Sequence, residues 1–191
     1  MIELTSYDDA RAGLRNRDLR QDLYYEGHRL MTGVIVNLHG DEHLARRRLE
    51  NRLFRRDTFA WYEREWIPSI IDAVLEPTVA AGRGDLLPIA RRTMMRLSVD
   101  VAGVDVPEDS FEQFYELMDR LAKASTVAHA LGDRDEILAD GDTALRVFRD
   151  EFYRQSYERR AAIVDRFERD EATEADLPRD VLTTLLCNQD R

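Results

Sequence analysis

Apolar residues recur at steps of three and four positions through most of the chain, which is the spacing of one face of an α-helix. The longest such stripe follows Asp57, a residue suited to capping a helix N-terminus. It predicts a long helix across Thr58 to Ala80, with a kink at Pro68. The residues of this stripe are Phe59, Tyr62, Trp66, Ile67, Ile70, Ile71 and Val74.

A second helix is predicted within Asp85 to Ala102, because Asp85 is a suitable N-cap and Gly103 a suitable C-terminal stop. Its stripe consists of Leu87, Ala90, Met94, Leu97 and Val101. The stripes of these two helices are the most continuous in the chain. We therefore expect the two helices to form the principal buried contact, with Trp66 largely buried.

The same period continues downstream. A helix is predicted to start near Pro107 and to carry the stripe Phe111 to Ala122, and a turn at Gly132 to Glu136 separates it from a further helix. The apolar residues of that helix are Leu145, Phe148, Phe152 and Ile163. After the acidic loop ERDEATEAD, the stretch Asp176 to Pro178 predicts the cap and first turn of a last helix. Its stripe is Val181, Leu182, Leu185 and Leu186.

Only the stretch GVIVNL, Gly33 to Leu38, competes with helix, and it is equally typical of a short strand and of a buried loop. The pattern therefore predicts an all-α fold with little or no sheet. No linker rich in Gly, Ser or Pro divides the chain, so residues 1–191 are expected to form a single helical domain.

Composition narrows the functions that this domain can have. The 28 basic and 38 acidic residues give a net charge of −10, which argues against a general nucleic-acid binder. No apolar run approaches the length of about 20 residues that crosses a bilayer, so no membrane association is expected. Cys187 is the single cysteine, which excludes an intramolecular disulfide and a cysteine-clustered zinc site. We expect a cytoplasmic protein.

The candidate chemistry lies in the stretch NLHGDEHLARRRLENRLF. His39, Glu42 and His43 have the H-x-x-E-H spacing in which two histidines bind zinc and the glutamate acts as a base, so a zinc hydrolase is one hypothesis. Gly40 between the ligands weakens the helix that such a site requires. The simplest alternative is a helix start, in which Asp41 and Glu42 favour the positive end of the helix dipole and the arginines are solvated.

A third interpretation accounts for the neighbouring residues too. The run GDEHLARRRLENRLF resembles the C-helix of bacterial cytochrome P-450 haem-thiolate monooxygenases, which follows a D-P-P-E-H-x-x-x-R-R-x-x-x-x-x-F pattern; the matching residues include His43, Arg47 and Phe54. TSYDDARAGLRNRDL is similar to the strand end and B-helix of that family. GRGDLLPIARRTMMRLSVDVAGVD is similar to its E-helix, and EADLPRDVLTTLL to its H-helix. These segments occur in the order of the family.

The resemblance implies a partial cytochrome P-450-like fold and an oxidoreductase that hydroxylates a small organic substrate with haem, dioxygen and external electrons. By this resemblance His43 and Arg47 bind a haem propionate, since residues four apart share a helical face and both side chains suit a carboxylate. The resemblance further implies that Arg46, Arg48 and Arg52 dock an acidic redox partner, although a solvated face is an equally good interpretation. No residue of this chain is assigned a catalytic role.

The sequence also departs from the family pattern. His39, Gly40 and Asp41 replace the prolines before the C-helix, and the family's I-helix, E-x-x-R pair and cysteine loop have no counterpart in this sequence. Cys187 lacks a glycine-rich loop before it and is interpreted as a small buried or terminal cysteine rather than a thiolate ligand.

We therefore expect a portion of the N-terminal half of a cytochrome P-450, from about the B-helix to the H-helix, that is inactive without a complementary part. It is expected to be a truncated gene product, a decayed relative or one half of a split enzyme. The alternative from another class is a non-enzymatic helical module, in which the stripes Phe111 to Ala122 and Leu145 to Phe152 enclose an apolar ligand or a partner.

Overall fold

A computed structural model describes residues 3–16, 18–20 and 22–188. These residues form helices and turns without any β-strand, which confirms the predicted all-α class. The α-helices are α1 (Tyr7–Arg15), α2 (Gly40–Glu50), α3 (Arg56–Trp61), α4 (Ile67–Ala81), α5 (Leu86–Ala102), α6 (Phe111–Ser125), α7 (Arg134–Val147), α8 (Arg154–Glu168) and α9 (Val181–Leu186). Two π-helical segments, Tyr62–Trp66 and Phe148–Tyr153, join α3 to α4 and α7 to α8.

The stretch Gly33 to Leu38 is neither a strand nor a buried loop. It contains a 3₁₀ turn, Ile35–Asn37, and the side chains of Val34 and Val36 are 37% and 39% exposed. A strand needs a neighbouring strand to bond its backbone groups, and the described residues form none beside this stretch. In the part of the chain that the structure describes, no helix combines the length and the apolar character needed to cross a membrane.

The long helix predicted across Thr58 to Ala80 is confirmed as a continuous helical stretch made of α3, the first π segment and α4. Its N-cap residue is Arg55, and Asp57 lies in the first turn instead of capping it. Pro68 lies in the first turn of α4, directly after the π segment. Because proline has no N–H to donate, the α-helical hydrogen-bond pattern cannot continue unbroken through this position, and the preceding turn is wound more widely.

The second predicted helix is also confirmed, with the expected caps. The Asp85 carboxylate accepts a hydrogen bond from the Leu87 N–H, and Gly103 ends α5 in the left-handed conformation with φ 84°. However, the prediction that α4 and α5 form the principal buried contact is wrong. In α4 none of the residues is buried, and in α5 only Val99 is. Trp66 is only partly buried.

The principal core lies instead around α6 and α7. Phe114 is 2% exposed, and the centre of its ring lies 5.1 Å from that of Phe152 in an edge-to-face contact. The two helices run antiparallel, since Arg120 pairs with Asp140 while Gln113, earlier in α6, bonds to Glu151. The buried residues of this core are Val99, Val104, Phe114, Leu117, Ala144 and Phe152.

A second, smaller core joins α8 to α9 and consists of Val164, Leu177, Leu182 and Leu186. The N-cap of α9 is Asp180, whose carboxylate accepts from the Thr183 N–H at 2.6 Å. The predicted cap, Asp176, instead closes a separate 3₁₀ turn with Thr173. Helix α9 contacts α2 as well as α5 and α8, so the second core supports the helix that carries the candidate chemistry.

Candidate functional site

Helix α2 presents the two residues singled out in the sequence. His39 is the N-cap residue with extended backbone, and Gly40 begins the helix with φ 57°. His43 and Arg47 lie one turn apart within α2, so they share one face of the helix, as predicted. His43 is partly buried and Arg47 is exposed. The pair therefore borders solvent instead of facing the interior.

The guanidinium of Arg47 rests on an aromatic ring. Its central carbon lies 4.8 Å from the centroid of Phe54, a residue that is itself 50% exposed. A cation–π contact of this kind uses none of the guanidinium N–H donors, so they can bond to other groups. Among the described residues, no carboxylate forms an ion pair with Arg47 or His43. An arginine and a histidine on this face thus have donors available for an anion from outside the described chain.

The neighbouring arginines do not form one open basic surface. Arg46 donates to Glu50 at 2.7 Å, and Glu50 is only 7% exposed, so Arg46 neutralises a carboxylate inside the protein. Arg48 is exposed, but it lies two positions from Arg46, which is roughly 200° around the helix. Arg52 lies beyond α2 in a 3₁₀ turn and is partly buried. Of the three arginines expected to dock a redox partner, only Arg48 is fully exposed.

The zinc hypothesis finds no support in the geometry. His39 precedes α2 and has an extended backbone, so it is not the first member of a helical pair with His43. Within residues 3–16, 18–20 and 22–188, no group of three or more His, Cys, Asp or Glu side chains is arranged to hold a metal ion. The three residues of the H-x-x-E-H pattern are not brought together as a ligand set.

Cys187 lies at the end of α9. It is partly buried and packs against the second core, and its backbone N–H donates to the Thr183 carbonyl at 3.0 Å. These contacts agree with the interpretation of Cys187 as a small cysteine that packs against its neighbours.

An aromatic group surrounds the first π segment. The apolar stripe of the sequence included Tyr62 and Trp66 but neither Trp61 nor Arg179. The rings of Trp61 and Trp66 are stacked, with centroids 5.9 Å apart and planes 10° from parallel, and the Arg179 guanidinium lies 4.9 Å from the centroid of Trp61. Burial raises the pKa of the neighbouring Tyr62, with Arg179 acting in the opposite direction. The π segment has more residues per turn than an α-helix, and this wider winding brings the rings together. The α-helical period of 3.6 residues does not predict their contact.

Helix α9 is held in place by a buried ionic cluster. The guanidinium of Arg160 donates to Asp105 at 2.6 Å and to Asp180 at 3.1 Å, and the Asp180 side chain is 3% exposed. Burial acts to lower the pKa of Arg160, but the hydrogen bonds to the two carboxylates outweigh burial and raise it, so the group stays charged. The cluster ties α8 and the α5–α6 connection to the N-cap of α9, and through α9 it supports α2.

The two stripes proposed for a ligand-enclosing module contact each other directly. Phe114 from the first stripe meets Phe148 and Phe152 from the second, and Phe114 and Phe152 are both buried. Side chains therefore fill the space that a ligand would occupy between these two stripes.

Comparison of the sequence with protein-family models, with curated proteins and with solved structures finds no match.

Proposed function

We propose that this chain is part of a cytochrome P-450-like haem-dependent monooxygenase, and that the face of α2 bearing His43 and Arg47 holds a haem propionate. The observation that carries the proposal is the availability of these two donors. Arg47 is stacked on Phe54 at 4.8 Å and has no carboxylate partner among the described residues, whereas its neighbour Arg46 is paired with Glu50.

The chemistry of the two side chains fits a carboxylate. A guanidinium presents a planar fork of donors that matches two carboxylate oxygens, and an imidazole adds one N–H. The contact with Phe54 restricts the Arg47 side chain before the anion arrives, which would lower the conformational entropy lost on binding. In this proposal the two residues orient the cofactor by its edge.

Agreement of element order adds support. The segments that resemble the family's B-, C-, E- and H-helices contain α1, α2, α5 and α9, so each of them is helical where the resemblance requires a helix. Contacts of α9 with both α2 and α5 bring three of these segments together in space.

When bound, haem would supply the iron at which dioxygen is activated for hydroxylation of a small organic substrate. The chain's own contribution is narrower. His43 and Arg47 would neutralise and orient the propionate, while the cluster Arg160, Asp105 and Asp180 would keep α9, and so α2, in position. A cysteine thiolate for the iron would be supplied by a complementary part, in further sequence or in a second polypeptide, because Cys187 is packed against the second core. Reduction by an acidic partner would rely on Arg48 more than on Arg46.

The test compares haem with its dimethyl ester, which retains the ring and the iron but lacks both carboxylates. The chain should bind haem measurably and the ester about tenfold more weakly or worse, as titrations followed by absorbance would show. In the variant His43→Ala with Arg47→Ala, haem should bind no better than the ester. The matched control, His39→Ala with Arg48→Ala, removes the same residue types from neighbouring positions. It should still bind haem more tightly than the dimethyl ester.

Reconstitution supplies a second measurement. The chain alone with haem should give no thiolate-type carbon monoxide spectrum, and addition of the C-terminal half of a cytochrome P-450 that carries the cysteine loop should produce one. Equal binding of haem and ester by the unmodified chain, or an unchanged difference in the His43 and Arg47 variant, would overturn the propionate assignment.

A further inference from the structure

A second potential binding region lies away from α2. A cleft of about 800 Å³ opens between α4, α5 and the start of α6, and none of its lining residues belongs to α2. Its volume is in the range that accommodates a small organic molecule, about 300–1,000 Å³. The apolar part of its wall is formed by Ile70, Val74, Leu87, Ile89, Phe111 and Tyr115.

Two arginines project from α5 at one side of this cleft. Arg92 and Arg96 are one turn apart and so share a face of the helix. Their guanidinium carbons lie 4.9 Å and 4.1 Å from the centroid of the Phe111 ring, and Phe111 is only 1% exposed. A rigid, buried ring thus supports both guanidinium groups next to the apolar wall.

The carboxylates that pair with these arginines are largely exposed to solvent. Glu108 pairs with both Arg92 and Arg96, and Glu112 pairs with Arg92 at 2.9 Å. The side chains of Glu108 and Glu112 are 72% and 78% exposed, whereas that of Arg96 is only 19% exposed. Exposed ion pairs contribute little to stability, so an external carboxylate can replace Glu108 at small cost to the fold.

The cationic side of the cleft favours such an exchange. Burial lowers the pKa of Arg96, and the adjacent Arg92 lowers it further, while Asp100 acts in the opposite direction. Arg92 and Arg96 are two positive charges held close together in a partly buried position. An anion that contacts both of them offsets their mutual repulsion. Glu108 supplies that anion from a flexible, solvent-exposed side chain, and a ligand that also buries an apolar chain would add hydrophobic free energy to the same contact.

We propose that this cleft binds an amphiphilic carboxylate, with its carboxylate on Arg92 and Arg96 in place of Glu108 and its apolar chain along Ile70, Val74 and Ile89. The site is independent of the haem assignment, since it uses neither His43 nor Arg47. Glu108 acts as an internal competitor in this arrangement. Its removal should therefore strengthen ligand binding, which a purely structural role for Glu108 would not predict.

The experiment titrates the full chain with dodecanoate, below the concentration at which it forms micelles, by isothermal titration calorimetry. Dodecanol and dodecyltrimethylammonium serve as probes with the same chain and a neutral or cationic head. Dodecanoate should bind about tenfold more tightly than either of them. Glu108→Gln should tighten dodecanoate binding several-fold, and Arg92→Gln with Arg96→Gln should reduce it to the level of dodecanol.

Asp109→Asn is the matched control, because it removes the same charge one position away, where Asp109 accepts from the Ser110 hydroxyl and contacts neither arginine. This variant should leave dodecanoate affinity nearly unchanged. Equal affinity for all three probes would indicate an apolar docking surface and overturn the proposal. So would a Glu108→Gln variant that behaves like the Asp109→Asn control. Circular dichroism of the double arginine variant distinguishes lost binding from lost folding. If that variant unfolds, Glu108→Gln still tests the proposal, because the Glu108 side chain is exposed and its replacement should leave the fold intact.

Discussion

Two pairs of consecutive helices, α4 with α5 and α6 with α7, have similar apolar stripes but very different burial. Helix α6 contributes Phe111, Phe114, Leu117, Ala124 and Ser125 to the interior, whereas α4 contributes no buried residue. The first pair borders the open cleft; the second is covered by α5, the second π segment and the α5–α6 connection. An apolar stripe indicates that a helix has a face to bury, but the number of neighbours on that face decides how much is buried.

Small residues account for part of the difference. Ala124 in α6 is fully buried and Gly141 in α7 faces it, so closely that a β-carbon at position 141 would overlap the Ala124 methyl group. The two backbones can therefore approach until the larger side chains around them interlock. In the α4–α5 pair, by contrast, the large apolar side chains of Leu86, Leu87 and Met94 on α5 are exposed.

The largest expected effect is in the core of the second pair. Phe114→Ala should lower the free energy of unfolding by about 3–5 kcal/mol, because a fully buried ring and its contacts with Phe148 and Phe152 are lost. Val74→Ala in α4 should cost about 1 kcal/mol or less, since that side chain lines the open cleft. Denaturant unfolding followed by circular dichroism measures both. Equal losses would mean that the two pairs are covered to the same extent in solution.

A smaller effect tests the close approach of α6 and α7. Gly141→Ala gains up to about 1 kcal/mol from helix preference, but the clash with Ala124 costs more, so we expect a net loss of about 1–2 kcal/mol. Thr143→Ala, at an exposed position of the same helix, should be nearly neutral. An increase in stability for the Gly141 variant would show that the two helices separate without penalty.

The contact between α5 and the first π segment, directly before α4, can be weakened at Trp66. The indole N–H donates to Asp100 at 3.0 Å, and Trp66→Phe removes this donor while keeping an aromatic ring. We expect a loss of about 0.5–1.5 kcal/mol by thermal or denaturant unfolding. Asp100→Asn keeps an acceptor and serves as the control, which should lose less. A loss above about 3 kcal/mol for Trp66→Phe would place the tryptophan in a more deeply packed position than the partly buried one found here.

The smallest effect concerns pH. The hydrogen bond from Arg120 lowers the pKa of Asp140, so the folded state prefers the ionised carboxylate more than the unfolded chain does. The resulting stability is present above the unfolded pKa of about 3.9 and is lost as the pH falls through the lower, folded value. Because the pair is largely exposed, Asp140→Asn should cost about 0.2–1 kcal/mol at neutral pH. The difference from the unmodified chain should shrink steadily as the pH falls below about 3.9, and a difference that stays constant there would assign the effect to packing instead.

Local pattern was sufficient for the helical class, for the long helix that includes α4, and for the caps Asp85 and Gly103 of α5. These features depend on backbone geometry within a few residues, so spacing and residue type predict them. The shared face of His43 and Arg47 followed from the same rule. The π winding before Pro68 did not, because it involves hydrogen bonds that the average helical period ignores.

What the sequence determined by itself, therefore, was which residues form helices and which side chains share a face of each helix. Only the tertiary structure decided that α6 and α7 hold the main core and that Glu50, which pairs with Arg46 one turn earlier in α2, is buried. The ionic cluster around Arg160 joins residues from three separate segments. Periodicity describes one helix at a time, whereas burial and ion pairing depend on which distant segments the chain brings together.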